Sequence, residues 1–283
     1  MRKLLDEAAV ERAAAGKALR LPRVAHRGRV GEVRASSVGS SLELHDFRLY
    51  QPGDDLRQLD WNAVARTGEL VLRVRQDEVS PRVEVIVDAS KSMALTEEKA
   101  RRTREVALLA CVLALRGGLE PVVITVGSAA QRAVGHRTRE VLQRLELDGR
   151  DGFDQALRRA PAMQPCGLRL WVTDLLFEAP AATVADRMSR GASALAVVQV
   201  LDPEDVDPAG GFGARLTDAE SGESLERILT AGVLADYQAR LGAHLELWRQ
   251  ATRRVHATMV TASAGEGIEA LARGGLCQLW EAA

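Results

Sequence analysis

Asp88, Ser90 and Ser92 stand at alternate positions directly after Val83-Glu-Val-Ile-Val87, an apolar run that reads as a buried strand. Alternate residues of an extended turn face the same way, so one carboxylate and two hydroxyls come within reach of one hard cation. Magnesium accepts such sparse protein ligation because it keeps several of its waters. A cation held by so few carboxylates retains positive charge, and an Asp or Glu of an outside molecule can complete its shell. A second apolar run, Leu170-Trp171-Val172-Thr173, ends in Asp174, whose expected role is to hold a metal-bound water at the same sheet edge. A plainer reading stands beside this one: Ser90 and Ser92 cap the helix that follows, and Asp174 is a turn or cap carboxylate.

The elements that position these residues follow from periodicity. From Pro81 onward strands over 83–87, 121–126, 168–173 and 194–201 alternate with helices over 96–117, 137–146, 152–160 and 181–190. Such alternation predicts an α/β fold with a mostly parallel sheet covered by helices on both faces, and ligands of such sheets bind beyond the carboxyl ends of the strands. Residues 214–226 read as a hairpin turning at Ser221-Gly222 that adds an edge to the sheet. A helix over 229–258 follows, with Leu234, Tyr237, Leu241, His244, Leu245 and Trp248 on the face expected to pack on the sheet. Residues 3–20 read as a short amphipathic helix, and 21–80 as irregular and β-containing, with a turn at Pro52-Gly53. Two parts are therefore expected: 1–80 as an N-terminal helix and appendage, and 81–283 as the α/β domain with its C-terminal hairpin and long helix.

Composition narrows the function. Thirty-eight basic against thirty-nine acidic residues leave a formal net charge of -1, so there is no global field for nucleic acid or anionic lipid. Arg101-Arg102-Thr103-Arg104 and Arg253-Arg254 read as solvated helix faces. Cys111, Cys166 and Cys277 are odd in number and far apart, which suggests neither a disulfide framework nor a zinc knuckle. The N-terminal stretch is too charged for a signal peptide, and the longest apolar run, Val106 to Leu115, is half a membrane span. A cytoplasmic protein without a membrane span is expected.

Strand-Asp88-x-Ser90-x-Ser92-Met93 with a later Thr173-Asp174 resembles the metal-ion-dependent adhesion site of von Willebrand factor A domains, over roughly residues 81–202. The stretch Glu43-Leu-His-Asp-Phe-Arg48-Leu-Tyr50-Gln-Pro52-Gly53-Asp54-Asp55-Leu-Arg57-Gln-Leu-Asp60-Trp61-Asn-Ala-Val-Ala65-Arg66 resembles the signature of the bacterial domain-of-unknown-function family fifty-eight. In that family the signature precedes a von Willebrand factor A-like, Rossmann-like domain, and members are commonly encoded beside MoxR-type AAA+ ATPases. The resemblance implies a non-enzymatic, metal-dependent protein-binding module, a partner of such an ATPase in a chaperone-like or complex-activating system. Many relatives carry N-terminal membrane helices; this sequence resembles the form without them. Asp88, Ser90, Ser92 and Asp174 match the adhesion-site pattern, with Mg2+, Mn2+ or Ca2+ as the implied cation. The pattern's Thr falls in Gly149-Arg-Asp151-Gly-Phe-Asp-Gln-Ala156-Leu157, which puts Asp151 near its position. In the signature, Arg48, Arg57, Asp60 and Arg66 can form an ion-pair lattice around Trp61, with Tyr50 and Asp54 nearby, serving either interdomain clamping or partner binding.

Two other classes remain. Asp88 at a strand end suits an aspartyl nucleophile for phosphotransfer, but Ser90 stands where a haloacid dehalogenase-type phosphatase would want a second acid. No Gly-x-Ser-x-Gly elbow, Ser-x-x-Lys arrangement or Gly-x-x-x-x-Gly-Lys loop occurs. The last class is a structural module with a vestigial cation site. His136 and Glu140 are spaced for one helix face and read as surface residues, as do His26, His45, His244 and His256.

Overall fold

The computed structural model describes residues 5–20, 46–49, 59, 61–74, 82–219 and 221–282. The chain divides into two compact units, Met1–Pro22 with Ser80–Ala283, and Arg23–Val79.

In the first unit a short helix α1 (Glu7–Ala13) is capped by Asp6, whose carboxylate accepts the Ala9 amide at 3.1 Å. The helix expected over 3–20 stops there. Gly16 adopts a left-handed φ of 65°, and β1 (Lys17–Leu19) follows. In the second unit β2 (Asp46–Leu49) pairs antiparallel with β3 (Val71–Val74), and α2 (Trp61–Thr67) precedes β3. The turn expected at Pro52-Gly53 lies outside the described residues. Grouping 1–20 with an N-terminal appendage is corrected: α1 packs on the sheet-bearing unit, against two of its helices.

That unit continues with β4 (Arg82–Asp88), α3 (Glu97–Arg116), β5 (Glu120–Val126), β6 (Gln131–Val134), α4 (Arg137–Gln143), α5 (Phe153–Arg159), β7 (Leu168–Thr173), α6 (Ala181–Ser189), β8 (Leu195–Leu201) and the one-turn α7 (Pro203–Val206). Then come the hairpin β9 (Gly213–Thr217) and β10 (Ser224–Ile228), α8 (Ala231–Arg254), β11 (Thr258–Ser263), α9 (Ile268–Arg273) and β12 (Trp280–Ala282). Six strands form one sheet in the order β11-β8-β7-β4-β5-β6, parallel except for β6, which makes it the Rossmann-like α/β arrangement expected. β4 lies at the centre, in register with β5 (Asp88 opposite Val126) and with β7 (Val87 opposite Val172).

Alternation along β4 sorts the two faces. Val83, Val85 and Val87 enter one core with α3, α1 and α9; Ile86 enters the other with Trp171, Phe153, Phe177 and Trp248. In that second core Phe153 stacks on Trp171 at 5.1 Å between ring centres, and Trp248 of α8 meets Trp171 edge-on at 5.7 Å.

Four expectations are corrected. Among the described residues the hairpin pairs β9 only with β10, as a sheet of its own. Along α8 only the second half is buried, at Leu245, Trp248, Ala251 and Thr252, so the expected stripe beginning at Leu234 does not pack along its whole length. The helix ends at Arg254, where His256 takes a positive φ of 54°, and β11 begins at Thr258. Arg102 and Arg104 are buried rather than solvated: Arg102 pairs with Glu105, and Arg104 donates to the Leu145 carbonyl at 2.7 Å. Each guanidinium finds an acceptor inside the fold, which a charge count along the sequence does not reveal.

Candidate cation site at the end of the central strand

β4 delivers Asp88 to the carboxyl edge of the sheet, where the segments following β4, β5, β7 and β8 converge. The turn after β4 is pressed close to its neighbours. Gly149 donates its amide to the Ala89 carbonyl at 2.9 Å and accepts the Lys91 amide at 2.8 Å. A Cβ on Gly149 would lie 2.9 Å from that carbonyl oxygen, and one on Gly127 would lie 2.9 Å from the Ala89 side chain. Glycine at both positions lets three backbone segments touch.

Asp88 is fully buried. Its Oδ1 accepts the Ser90 amide at 3.0 Å and its Oδ2 accepts the Thr173 hydroxyl at 2.8 Å, so both oxygens meet neutral donors. Burial, then the nearby Asp174 charge, push its carboxyl up from 3.8 to about 7, against the opposing pull of the Ser90 and Thr173 hydrogen bonds. The Ser90 and Ser92 hydroxyls lie 3.0 Å apart. Ser90 makes no side-chain cap to the 3-10 turn Lys91–Ala94, and α3 is capped by Thr96, whose hydroxyl accepts the Lys99 amide at 3.1 Å. The capping role that the sequence allowed the two serines thus belongs to Thr96.

Asp174 is also buried, and its surroundings differ. Its Oδ1 accepts the Leu176 amide at 3.0 Å, and its Oδ2 faces the Lys99 ammonium at 3.1 Å. Lys99, buried in the first turn of α3, also contacts Asp205 of α7 at 2.8 Å. Burial alone would lower the Lys99 pKa, but Asp174 and Asp205 together more than offset it and raise it. After Asp174 the backbone turns through Leu175, a buried residue at the left-handed φ of 59°. Its carbonyl lies 2.6 Å from Nε2 of His244, which corrects the expectation that this histidine is a surface residue.

Asp88, Ser90, Ser92 and Asp174 are therefore gathered at one edge. Asp151, two residues past the contact at Gly149, pairs with Arg159 of α5. The motif contains Thr173 without assigning it a role, and Lys99 and Asp205 carry no mark in the sequence pattern. No group of three or more His, Cys, Asp or Glu able to hold a metal occurs among the described residues, so hydroxyls must supply part of any donor set.

Of the signature positions, Tyr50, Asp54, Arg57 and Asp60 lie outside the described residues. Arg48 stands on β2 opposite Leu72, and Arg66 in the last turn of α2. Trp61 begins α2 with 65% of its surface exposed.

Residues 46–246 match a family described as a protein of unknown function, DUF58. The uncharacterized proteins Rv1480 of Mycobacterium tuberculosis and Mb1516 of Mycobacterium bovis are each 28% identical over 227 residues, covering 73% of this chain and 69% of theirs. Among solved structures, the conserved hypothetical protein BatB from Bacteroides thetaiotaomicron aligns at 14% identity with a TM-score of 0.35, over 68% of this chain and 96% of that one. An aerotolerance-related membrane protein from Bacteroides fragilis aligns at 14% identity with a TM-score of 0.38, over 70% and 98%. Among the described residues no helix is long and apolar enough to cross a membrane.

Proposed function

The chain belongs to the DUF58 family, and on that premise we propose that it is a cation-dependent protein-binding module rather than an enzyme, gripping its partner at the Asp88 edge of the sheet. The observation that carries the reading is a fully buried carboxylate whose oxygens meet neutral donors while a second carboxylate raises its energy. An uncompensated buried charge is costly, and a positive ion is the direct remedy.

The donor set fits a hard divalent cation such as Mg2+, Mn2+ or Ca2+. Asp88 would hold it with the Ser90 and Ser92 hydroxyls, which already lie side by side. Thr173 fixes the rotation of the Asp88 carboxylate, and Asp174 adds negative charge nearby. Bound there, the cation would supply a positive centre for an acidic side chain of a partner. A MoxR-type AAA+ ATPase is the proposed partner, in a chaperone-like or complex-activating system; this rests on the resemblance of the Glu43–Arg66 stretch alone. The phosphotransfer alternative is disfavoured by the residue two positions after Asp88, where Ser90 stands in place of a second acid.

Titration calorimetry of the full chain with Mn2+ and Mg2+ tests the reading, followed by capture of a purified MoxR-type ATPase with and without EDTA. Binding that disappears in Asp88→Ala, with capture lost in parallel, is the expected result. Absence of cation binding in the wild type, or a phosphatase or ATPase turnover that vanishes with Asp88, would sink it.

A further inference from the structure

The geometry points to Lys99 as the residue that sets the cation affinity of this site, by acting as an internal positive charge on its Asp174 side; the inference rests on the cation reading above. Lys99 reaches the site from the opposite side of the sheet to Asp88. On β7, Trp171 faces the aromatic core while Leu170 and Val172 face the α3 core, so Thr173 turns toward the first and Asp174 toward the second. Thr173 accordingly meets Asp88, and Asp174 meets α3, where Lys99 lies 3.1 Å away.

Asp88, Asp174 and Asp205 share this edge with the Lys99 ammonium. Asp205 holds Lys99 at 2.8 Å and also accepts the Asp202 amide at 2.9 Å; Asp202 in turn accepts the Thr96 hydroxyl at 2.7 Å. Lys99 is thereby fixed from both ends, by its cap and by its two acids. Its charge cancels part of the field that Asp174 and Asp205 would exert on an ion beside Asp88, because Lys99 touches both acids and charges in a poorly screened interior interact strongly. Two consequences follow for an ion at Asp88. It is held less tightly than the count of carboxylates suggests, and it keeps more of its own charge for an outside acid.

A plain stapling role for Lys99, tying α3 to the loops after β7 and β8, predicts something else. Loosening the staple would weaken the site whichever member is removed. The charge role predicts effects of opposite sign. Lys99→Met removes a positive charge and is expected to tighten Mn2+ binding at least tenfold. Asp205→Asn removes a negative charge, leaves Lys99 to Asp174 alone, and is expected to weaken Mn2+ binding severalfold.

Calorimetry with Mn2+ on the full-length wild type, Lys99→Met, Asp205→Asn and Asp88→Ala reads these shifts directly. Tightening in Lys99→Met with weakening in Asp205→Asn supports the inference. If the wild type binds Mn2+ through Asp88 and Lys99→Met binds equally or more weakly, Lys99 is only a staple while the cation reading stands. If the wild type binds nothing and Lys99→Met gains Asp88-dependent binding, Lys99 outcompetes the ion outright; the inference holds and the native cation reading fails. If neither binds, both fail. Should Lys99→Met not fold, Lys99→Gln, which keeps a hydrogen-bond donor toward Asp174 and Asp205 without the charge, takes its place: tighter Mn2+ binding supports the inference, and unchanged or weaker binding overturns it.

Discussion

Glu84 and Asp88 lie four residues apart on β4, so both side chains leave the same face of the strand, and both are fully buried. Glu84 stands opposite Arg169 of β7 in register, and its Oε2 receives the guanidinium at 2.7 Å. Its Oε1 accepts the Gln164 amide at 3.1 Å. Arg169 spends its remaining donors on the carbonyls of Gln164, Met188 and Arg190. Among the described residues Asp88 has no such counter-charge, only an amide, a hydroxyl and a neighbouring acid. At the amino end of the strand the fold supplies its own cation; at the carboxyl end it supplies oriented neutral groups. Burial of a carboxylate therefore says little about function until its partners are counted.

The largest test of this contrast removes the guanidinium. Arg169→Met leaves Glu84 buried and unpaired and is expected to cost about 3–5 kcal/mol in urea unfolding. Asp88→Asn in EDTA should instead lie within about 1 kcal/mol of wild type, or above it, because it removes a charge that the metal-free fold does not neutralise. Similar losses in the two variants would erase the distinction.

A pH series sharpens it. The Asp88 carboxyl is raised in the folded state from 3.8 to about 7, so its protonated form favours folding. That contribution is fully present below 3.8 and is lost as pH rises to about 7. In EDTA the melting temperature of wild type relative to Asp88→Asn should fall over this window, and saturating Mn2+ should restore it at pH 7. A flat difference would mean that Asp88 is neutralised by something else. The smallest effect checks the burial on which the contrast depends. Burial pushes the Cys111 thiol up to about 12 and Cys166 up to about 11, while Cys277 is exposed. Mass spectrometry after native maleimide labelling at pH 8 should find Cys277 modified well ahead of the other two.

Much of the sheet was legible because β4, β5, β7 and β8 are apolar runs buried on both faces, a pattern little else produces. β11 was not, since Thr-Met-Val-Thr-Ala-Ser follows a long helix without a Gly or Pro to announce the break; the break is made by His256. Asp88, Ser90, Ser92 and Asp174 were legible because a strand end fixes their positions locally. Lys99 was not, since its pairing with Asp174 spans 75 positions and its neighbours Glu97 and Glu98 make the first turn of α3 read as a solvated one. Positions along a chain report faces of elements; they do not report which charges meet when elements stack.

The antiparallel pairing of β1 with β12, Lys17 opposite Ala282, bears on how the protein is made. A ribosome releases β1 before every other strand of this unit and β12 after all of them, so β1 waits through the synthesis of the whole sheet before its partner exists. Domains emerging from the ribosome generally fold from the amino end, but this unit cannot complete until β12 is free. During that wait Val10, Ala13 and Leu19, all buried in the finished fold, are available to chaperones or to misassembly. Stalling translation just short of Trp280 should leave a chain that proteases trim first around α1 and β1.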